Sequence, residues 1–159
     1  MKIFLSHQKH DSETAKSVQS HLKAKHGIDC YLDVIDPGIK FGEDIASHVR
    51  AELARCTQLL AIVSEATKLS WWVPWEIGVA TEKDYPLATF GRGVTIPEYL
   101  KKWPYLQTMA DLDKYAKVSS TTSQRSLTAS MESRSSGSVP YKFNATEHFY
   151  KTLRAELGQ

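Results

Sequence analysis

The sequence predicts an α/β protein whose parallel sheet is covered by helices on both faces. Three observations carry that reading. Strand-like and helix-like periodicities alternate through roughly the first ninety residues, the signature of strand–helix–strand units. The stretch QLLAIVS, Gln58 to Ser64, is apolar almost throughout, as a strand buried on both faces has to be. Pro37, Gly38 and Gly42 fall between a predicted strand and a predicted helix, where the chain must turn.

KIFLS (Lys2 to Ser6) is the first strand. Asp11 or Ser12 then caps a helix in which Ala15, Val18 and Leu22 recur at i, i+3 and i+7, and Gly27 supplies its C-terminal turn. IDCYLD (Ile28 to Asp33) is the second strand, and the loop holding Pro37, Gly38 and Gly42 leads to a helix with Ile45, Val49 and Leu53 on one stripe. After QLLAIVS, a Trp-rich helix runs to Lys83, and YPLATF (Tyr85 to Phe90) is the fourth strand. IPEYLKKW reads as a short helical turn, YLQTMADL as the place of a fifth strand, and Asp111 to Lys117 as helical. Ser and Thr dominate from Ser119 to Ser138 with few large apolar residues, which predicts a mobile surface insertion at about 118–138 without regular structure. The last helix is plainer: Asn144 caps it, Glu147 stands three residues on, and Phe149, Leu153 and Leu157 form its apolar stripe before Gly158. That stripe needs the sheet to cover it, so residues 1–159 are read as a single domain.

Composition bounds the function. The 159 residues are 42% hydrophobic and 24% charged, ordinary for a globular domain that buries a core without disulfides or metals. A formal net charge of +2 gives no strong field toward nucleic acid or a membrane surface. No apolar run is long enough to cross a bilayer, and a first strand starting at Lys2 leaves no room for a signal peptide, so a cytoplasmic protein is expected. Cys30 and Cys56 lack CxxC spacing and are expected as small core residues.

In open sheets of this class, ligands bind outside the carboxyl ends of the strands where the strand order reverses. With a flavodoxin-like order of 2-1-3-4-5, that crevice lies between the first and third strands. Its walls would be residues 6–11, the loop 34–42 and the segment 65–72. Trp72 and Glu76 sit four residues apart on one helical face, which Val79 and Ala80 continue, so the carboxylate shares its face with apolar groups. Glu76 has a plain alternative as a charge favoured near a helix N-terminus by about 0.3–1 kcal/mol. The tryptophans have one too, as large side chains sealing the helix to the sheet, and Trp71 and Trp75 are expected to pack. Phe41, on a loop long for its type, is placed to stack on a flat ring, or the loop is an ordinary connection. His7, His10 and Asp11 offer metal-ligand types, but they share one loop with no matching cluster elsewhere, so no metal is expected.

A Walker loop, a GxGxxG turn and a GxSxG elbow are all missing from the sequence. What the motifs do share is an order. IFLSH on the first strand, DVIDPGIKFGEDI after the second and SWWVPWE after the third together resemble the three-part pattern of TIR domains. That pattern is a strand ending in Phe-Ile-Ser-Tyr/His, a BB loop with Pro-Gly, and Ser-x-Trp-x-x-x-Glu opening the third helix. Phe149-Tyr150 is an imperfect counterpart of the family's C-terminal Phe-Trp pair.

The resemblance implies a flavodoxin-like three-layer fold with a five-stranded parallel sheet. In enzymatic members the Glu of the third motif is needed to cleave the N-glycosidic bond between nicotinamide and ribose in NAD. By resemblance Glu76 takes that catalytic role, with Ser6, His7, Pro37, Gly38, Phe41, Ser70 and Trp72 around the substrate. NAD is then a substrate, with no separate cofactor. Many members have Cys directly after the motif Trp, where this chain has Val73, and Trp71, Pro74 and Trp75 are not in the common pattern. A stand-alone chain of this kind resembles the bacterial antiphage members of Thoeris systems, which make a cyclised or conjugated ADP-ribose that activates a separate effector. Self-association through TIR–TIR contacts is expected as well. The alternatives are a non-catalytic adaptor assembling through its BB loop, and a nucleoside deoxyribosyltransferase-like enzyme of the same fold class.

Overall fold

In a computed structural model of the chain, residues 1–32, 42–136 and 144–159 are described. Strands β1 (Lys2–Ser6), β2 (Asp29–Leu32), β3 (Gln58–Ile62), β4 (Leu87–Phe90) and β5 (Tyr105–Leu106) form one sheet in the order β2-β1-β3-β4-β5. Every neighbouring pair is parallel, so each connection is a crossover. The helices are α1 (Ser12–His26), α2 (Gly42–Ala54), α3 (Trp72–Glu82), α4 (Met109–Ser136) and α5 (Ala145–Leu157).

Alternation along the strands feeds two cores, one on each face. Ile3 and Leu5 of β1 with Leu60 and Ile62 of β3 meet Val18 and Leu22 of α1, Leu112 and Tyr115 of α4, and Phe149 and Leu153 of α5. Phe4, Leu59 and Ala61 point the other way, onto Val49 and Leu53 of α2 and Val73, Ile77 and Ala80 of α3. This double burial is why the strands read as continuous apolar runs. At the end of α1, Gly27 takes a left-handed φ of 66° and its N–H closes back on the carbonyls of Leu22 and Lys23, the turn that returns the chain to β2.

Strand β4 begins at Leu87 rather than Tyr85, because Pro86 has no N–H to give a ladder. Cys56 is buried as expected, whereas Cys30 is only half-buried. Burial pushes both thiols up, to about 12 for Cys30 and about 11 for Cys56, so neither is a reactive thiolate near neutral pH.

The larger correction concerns the Ser/Thr-rich stretch. The sequence predicts no regular structure at about 118–138, yet α4 runs through it to Ser136. Its start is capped reciprocally: Thr108 Oγ1 accepts from Asp111 N–H at 3.1 Å, and Asp111 Oδ2 accepts from Thr108 N–H at 3.0 Å. Ser119 and Thr122 extend the buried stripe of Leu112 and Tyr115, and the Ser119 hydroxyl donates to Gln58 Oε1 at 2.9 Å, beside the Tyr115 hydroxyl at 2.9 Å. Thr121 and Thr128 donate to the carbonyls of Lys117 and Gln124, four residues back, so these hydroxyls satisfy themselves within the helix. Helix α5 starts as expected, with the Asn144 side chain accepting from Glu147 N–H at 3.0 Å. Tyr150 fastens it to the sheet by accepting from Leu87 N–H at 3.3 Å.

Candidate functional site

The residues at the carboxyl end of β1 are Ser6 and His7, both buried despite being polar. Ser6 aligns with Ala61 of β3, so its side chain lies where the strand order turns from β1 toward β3. The segment after β3 is held stiffly. Ser64 Oγ accepts from Ala66 N–H at 3.2 Å, and Thr67 Oγ1 accepts from Ser64 N–H at 2.9 Å, capping a short 3-10 helix over Glu65–Leu69. Ser64 Oγ also donates to Asp11 Oδ2 at 2.9 Å, which ties the loop after β1 to the loop after β3. Asp11, expected as a helix cap, makes no side-chain cap bond and is instead this buried cross-tie.

From that stiff segment the chain enters α3. Ser70 Oγ accepts from the N–H groups of Trp72 at 3.2 Å and Val73 at 3.3 Å, so this predicted substrate-binding residue serves as the cap of the helix. Pro74 falls in the first turn, where its missing N–H costs nothing. One turn later, Glu76 lies with Val73, Ile77 and Ala80 on the buried face and is 0% exposed. The Ser6 hydroxyl donates to Glu76 Oε2, joining the end of β1 to α3 across 70 positions of sequence. His7 points an imidazole Nδ1 at the Leu5 carbonyl, 3.3 Å away.

The tryptophans divide. Trp72 is half-buried and stacks on Trp75 with ring centroids 4.9 Å apart, and both pack against the core of the α2/α3 face. Trp71 does not pack as expected: it is 74% exposed and stands edge-on to Trp72 at 5.1 Å. Pro37, Gly38 and Phe41 lie outside the described residues.

Thus Glu76, Ser6, His7, Ser70 and Trp72 converge on one edge of the sheet, and Asp11 and Ser64 join them. Sequence reading had Asp11 in the crevice wall but missed Ser64 and the tie between the two. The signal for Ser64 was the S-x-x-T of Ser64 to Thr67 right after an apolar strand, which marks a capped turn at the crevice. A separate open cleft, lined by Gln58, Tyr85, Thr122 and Ser126, sits at the opposite, amino-terminal edge of β3 and β4, remote from Glu76. Chemically, the carboxyl-edge site offers one acid withdrawn from water and a hydroxyl bonded to it, with Trp72 one helical turn away on α3. Low local dielectric there strengthens the interaction of a carboxylate with a developing positive charge.

Comparison with known proteins agrees with this fold. The sequence model of the TIR domain matches residues 3–127. No curated protein sequence matches the chain. Among solved structures, a 2-deoxyribosyltransferase from the psychrotolerant bacterium Bacillus psychrosaccharolyticus superposes with a TM-score of 0.52 at 15% identity. The match covers 70% of this chain and 90% of that one, and it is a likeness of fold.

Proposed function

Because the chain belongs to the TIR domain family, we propose that it is an NAD-consuming enzyme that cleaves the nicotinamide–ribose bond with Glu76 as its catalytic carboxylate. The observation that carries this reading is the enclosed Glu76, at the carboxyl edge between β1 and β3, with the Ser6 hydroxyl on its Oε2. That edge is where α/β sheets bind ligands. Cleavage proceeds through an oxocarbenium-like transition state, and a carboxylate facing the ribose holds its hydroxyls and stabilises the charge that develops. On substrate binding, ribose hydroxyls replace the Ser6 hydroxyl at Glu76. Trp72, stacked on Trp75, supports the helix turn that carries Glu76 and flanks the nucleotide. Ser6 and His7 line the pocket floor, and Ser70 fixes the start of α3.

The product is an ADP-ribose-type nucleotide, cyclised or conjugated when a nucleophile other than water takes the ribosyl group. It signals to a separate effector protein in antiphage defence, and the enzyme works as a homo-oligomer through TIR–TIR contacts in the cytoplasm. Among the described residues, no helix is long and apolar enough to cross a membrane.

Purified protein incubated with NAD should release nicotinamide, followed by chromatography, and Glu76→Ala should abolish the release. Equal release by the variant sinks the role of Glu76. The fold likeness to a 2-deoxyribosyltransferase favours a second reading, a glycosyl transfer on free nucleosides. Turnover of nucleosides without turnover of NAD would select it.

A further inference from the structure

A second polar cluster lies between α1 and α4, which carry none of Ser6, His7 or Glu76. His21 and His26 of α1 both direct Nε2 at one oxygen of Asp113 on α4, at 2.8 Å and 2.7 Å. The three ligand-type atoms all lie within 4.8 Å of one another, and this is the one such group among the described residues. From this geometry we propose a binding site for a divalent transition metal of the Zn2+ class, with His21 Nε2, His26 Nε2 and Asp113 Oδ1 as its three protein ligands.

Several features fit an ion there. Zinc bonds to imidazole nitrogen and carboxylate oxygen are about 2.0–2.2 Å, which puts tetrahedral ligands about 3.3 Å apart. The imidazole–carboxylate distances open by roughly half an ångström to admit such an ion. The three side chains are 21–28% exposed, so they are ordered by packing yet reached by water, which supplies the fourth ligand. Two imidazoles select Zn2+, Co2+ or Ni2+ over Mg2+ and Ca2+, which prefer all-oxygen sites. Lys25 Nζ meets the other carboxylate oxygen, Asp113 Oδ2, at 2.6 Å. It fixes the carboxylate so that Oδ1 alone faces the histidines, and its charge opposes the ion. Bound to the ion through Nε2, each imidazole is neutral and carries its N–H at Nδ1. The ion would then clamp the end of α1 to α4, both of which cover the same face of the sheet.

The test uses the full chain without a histidine tag, titrated with ZnCl2 in a calorimeter and with CoCl2 in an absorption spectrometer. The expected result is one Zn2+ per chain, a visible cobalt band of a four-coordinate site, and no displacement by excess Mg2+. His21→Ala, His26→Ala and Asp113→Asn should each weaken binding at least ten-fold and erase the cobalt band, while His10→Ala, at an exposed position, leaves both unchanged. Lys25→Ala keeps all three ligands and should tighten binding several-fold, which guards against ligand variants that fail to fold. Absence of one-to-one Zn2+ binding in the wild-type chain, or binding and a band that survive in His21→Ala, overturns the site.

Discussion

Two carboxylates in this protein are each held by residues far away in sequence, and they are held in opposite ways. Glu76 is sealed from water on the buried face of α3 and takes a hydroxyl from Ser6, 70 positions earlier. Asp113 is 28% exposed and gathers three nitrogen donors from α1, His21, Lys25 and His26. Enclosure strengthens what a charge does to a bound substrate, since few water dipoles compete with it. Partial exposure suits an ion instead, because water is at hand to complete a coordination shell. A carboxylate's surroundings, more than its identity, thus decide which chemistry it suits.

The largest effect should come from the enclosed acid. Glu76→Gln keeps the volume and removes the charge, so the fold persists in circular dichroism while nicotinamide release from NAD falls by about 10²–10³-fold, equivalent to about 2.7–4 kcal/mol of transition-state stabilisation. A variant that keeps wild-type turnover would erase the functional side of the contrast and leave Glu76 as a structural tie between β1 and α3.

Next in size is the partner of that acid. Ser6→Ala takes a donor away from a buried carboxyl group, and the expected cost is about 1–3 kcal/mol, read as a lower urea midpoint at unchanged slope. No measurable change would mean that the Ser6–Glu76 contact contributes nothing to holding β1 against α3. Tyr115→Phe separates enclosure from function. Tyr115 is as deeply buried as Glu76, and its hydroxyl donates to Gln58 on the other face of the sheet. Losing that bond should cost about 1 kcal/mol of stability and leave nicotinamide release untouched. If activity falls as well, burial of polar groups in this fold is coupled to the site as a whole.

Much of this was legible in the sequence, and the reason differs from one element to the next. Apolar runs such as Gln58 to Ile62 have few alternatives to a central strand, so the sheet was readable from them, whereas its order came from the flavodoxin-like resemblance. Glu76 was placed beside apolar groups by its four-residue spacing from Trp72, and its functional role was legible only through the resemblance of SWWVPWE to the family's third motif. The second half of α4 was not, since Ser and Thr have weak helical preference and its buried stripe continues through Ser119 and Thr122 rather than through large apolar residues. Only Gln58, about sixty positions away, makes Ser119 a core residue. The His21–His26–Asp113 cluster was hidden for the same reason, because no local spacing announces a ligand that arrives from another helix. Asp11 looked like a helix cap until the loop carrying Ser64 was placed beside it.

The smallest effect should come from a third carboxylate, Asp111, which accepts from two backbone N–H groups at the start of α4. Burial raises its carboxyl, but the N–H groups of Gln107 and Thr108, the Thr108 side chain and nearby Lys114 outweigh that and hold it below the usual carboxylate range. A carboxyl whose folded value is depressed adds stability at pH above its unfolded value, about 4, and that contribution is lost as pH falls toward the folded value. Asp111→Asn should therefore cost about 1 kcal/mol or less near neutral pH, a typical loss for a weakened helix cap at a partly exposed site. The gap between wild type and variant should shrink as pH is lowered below about 4. Urea unfolding at a series of pH values measures it. A gap that stays constant down to strongly acidic pH would mean that Asp111 caps α4 through its shape alone, with no contribution from its charge.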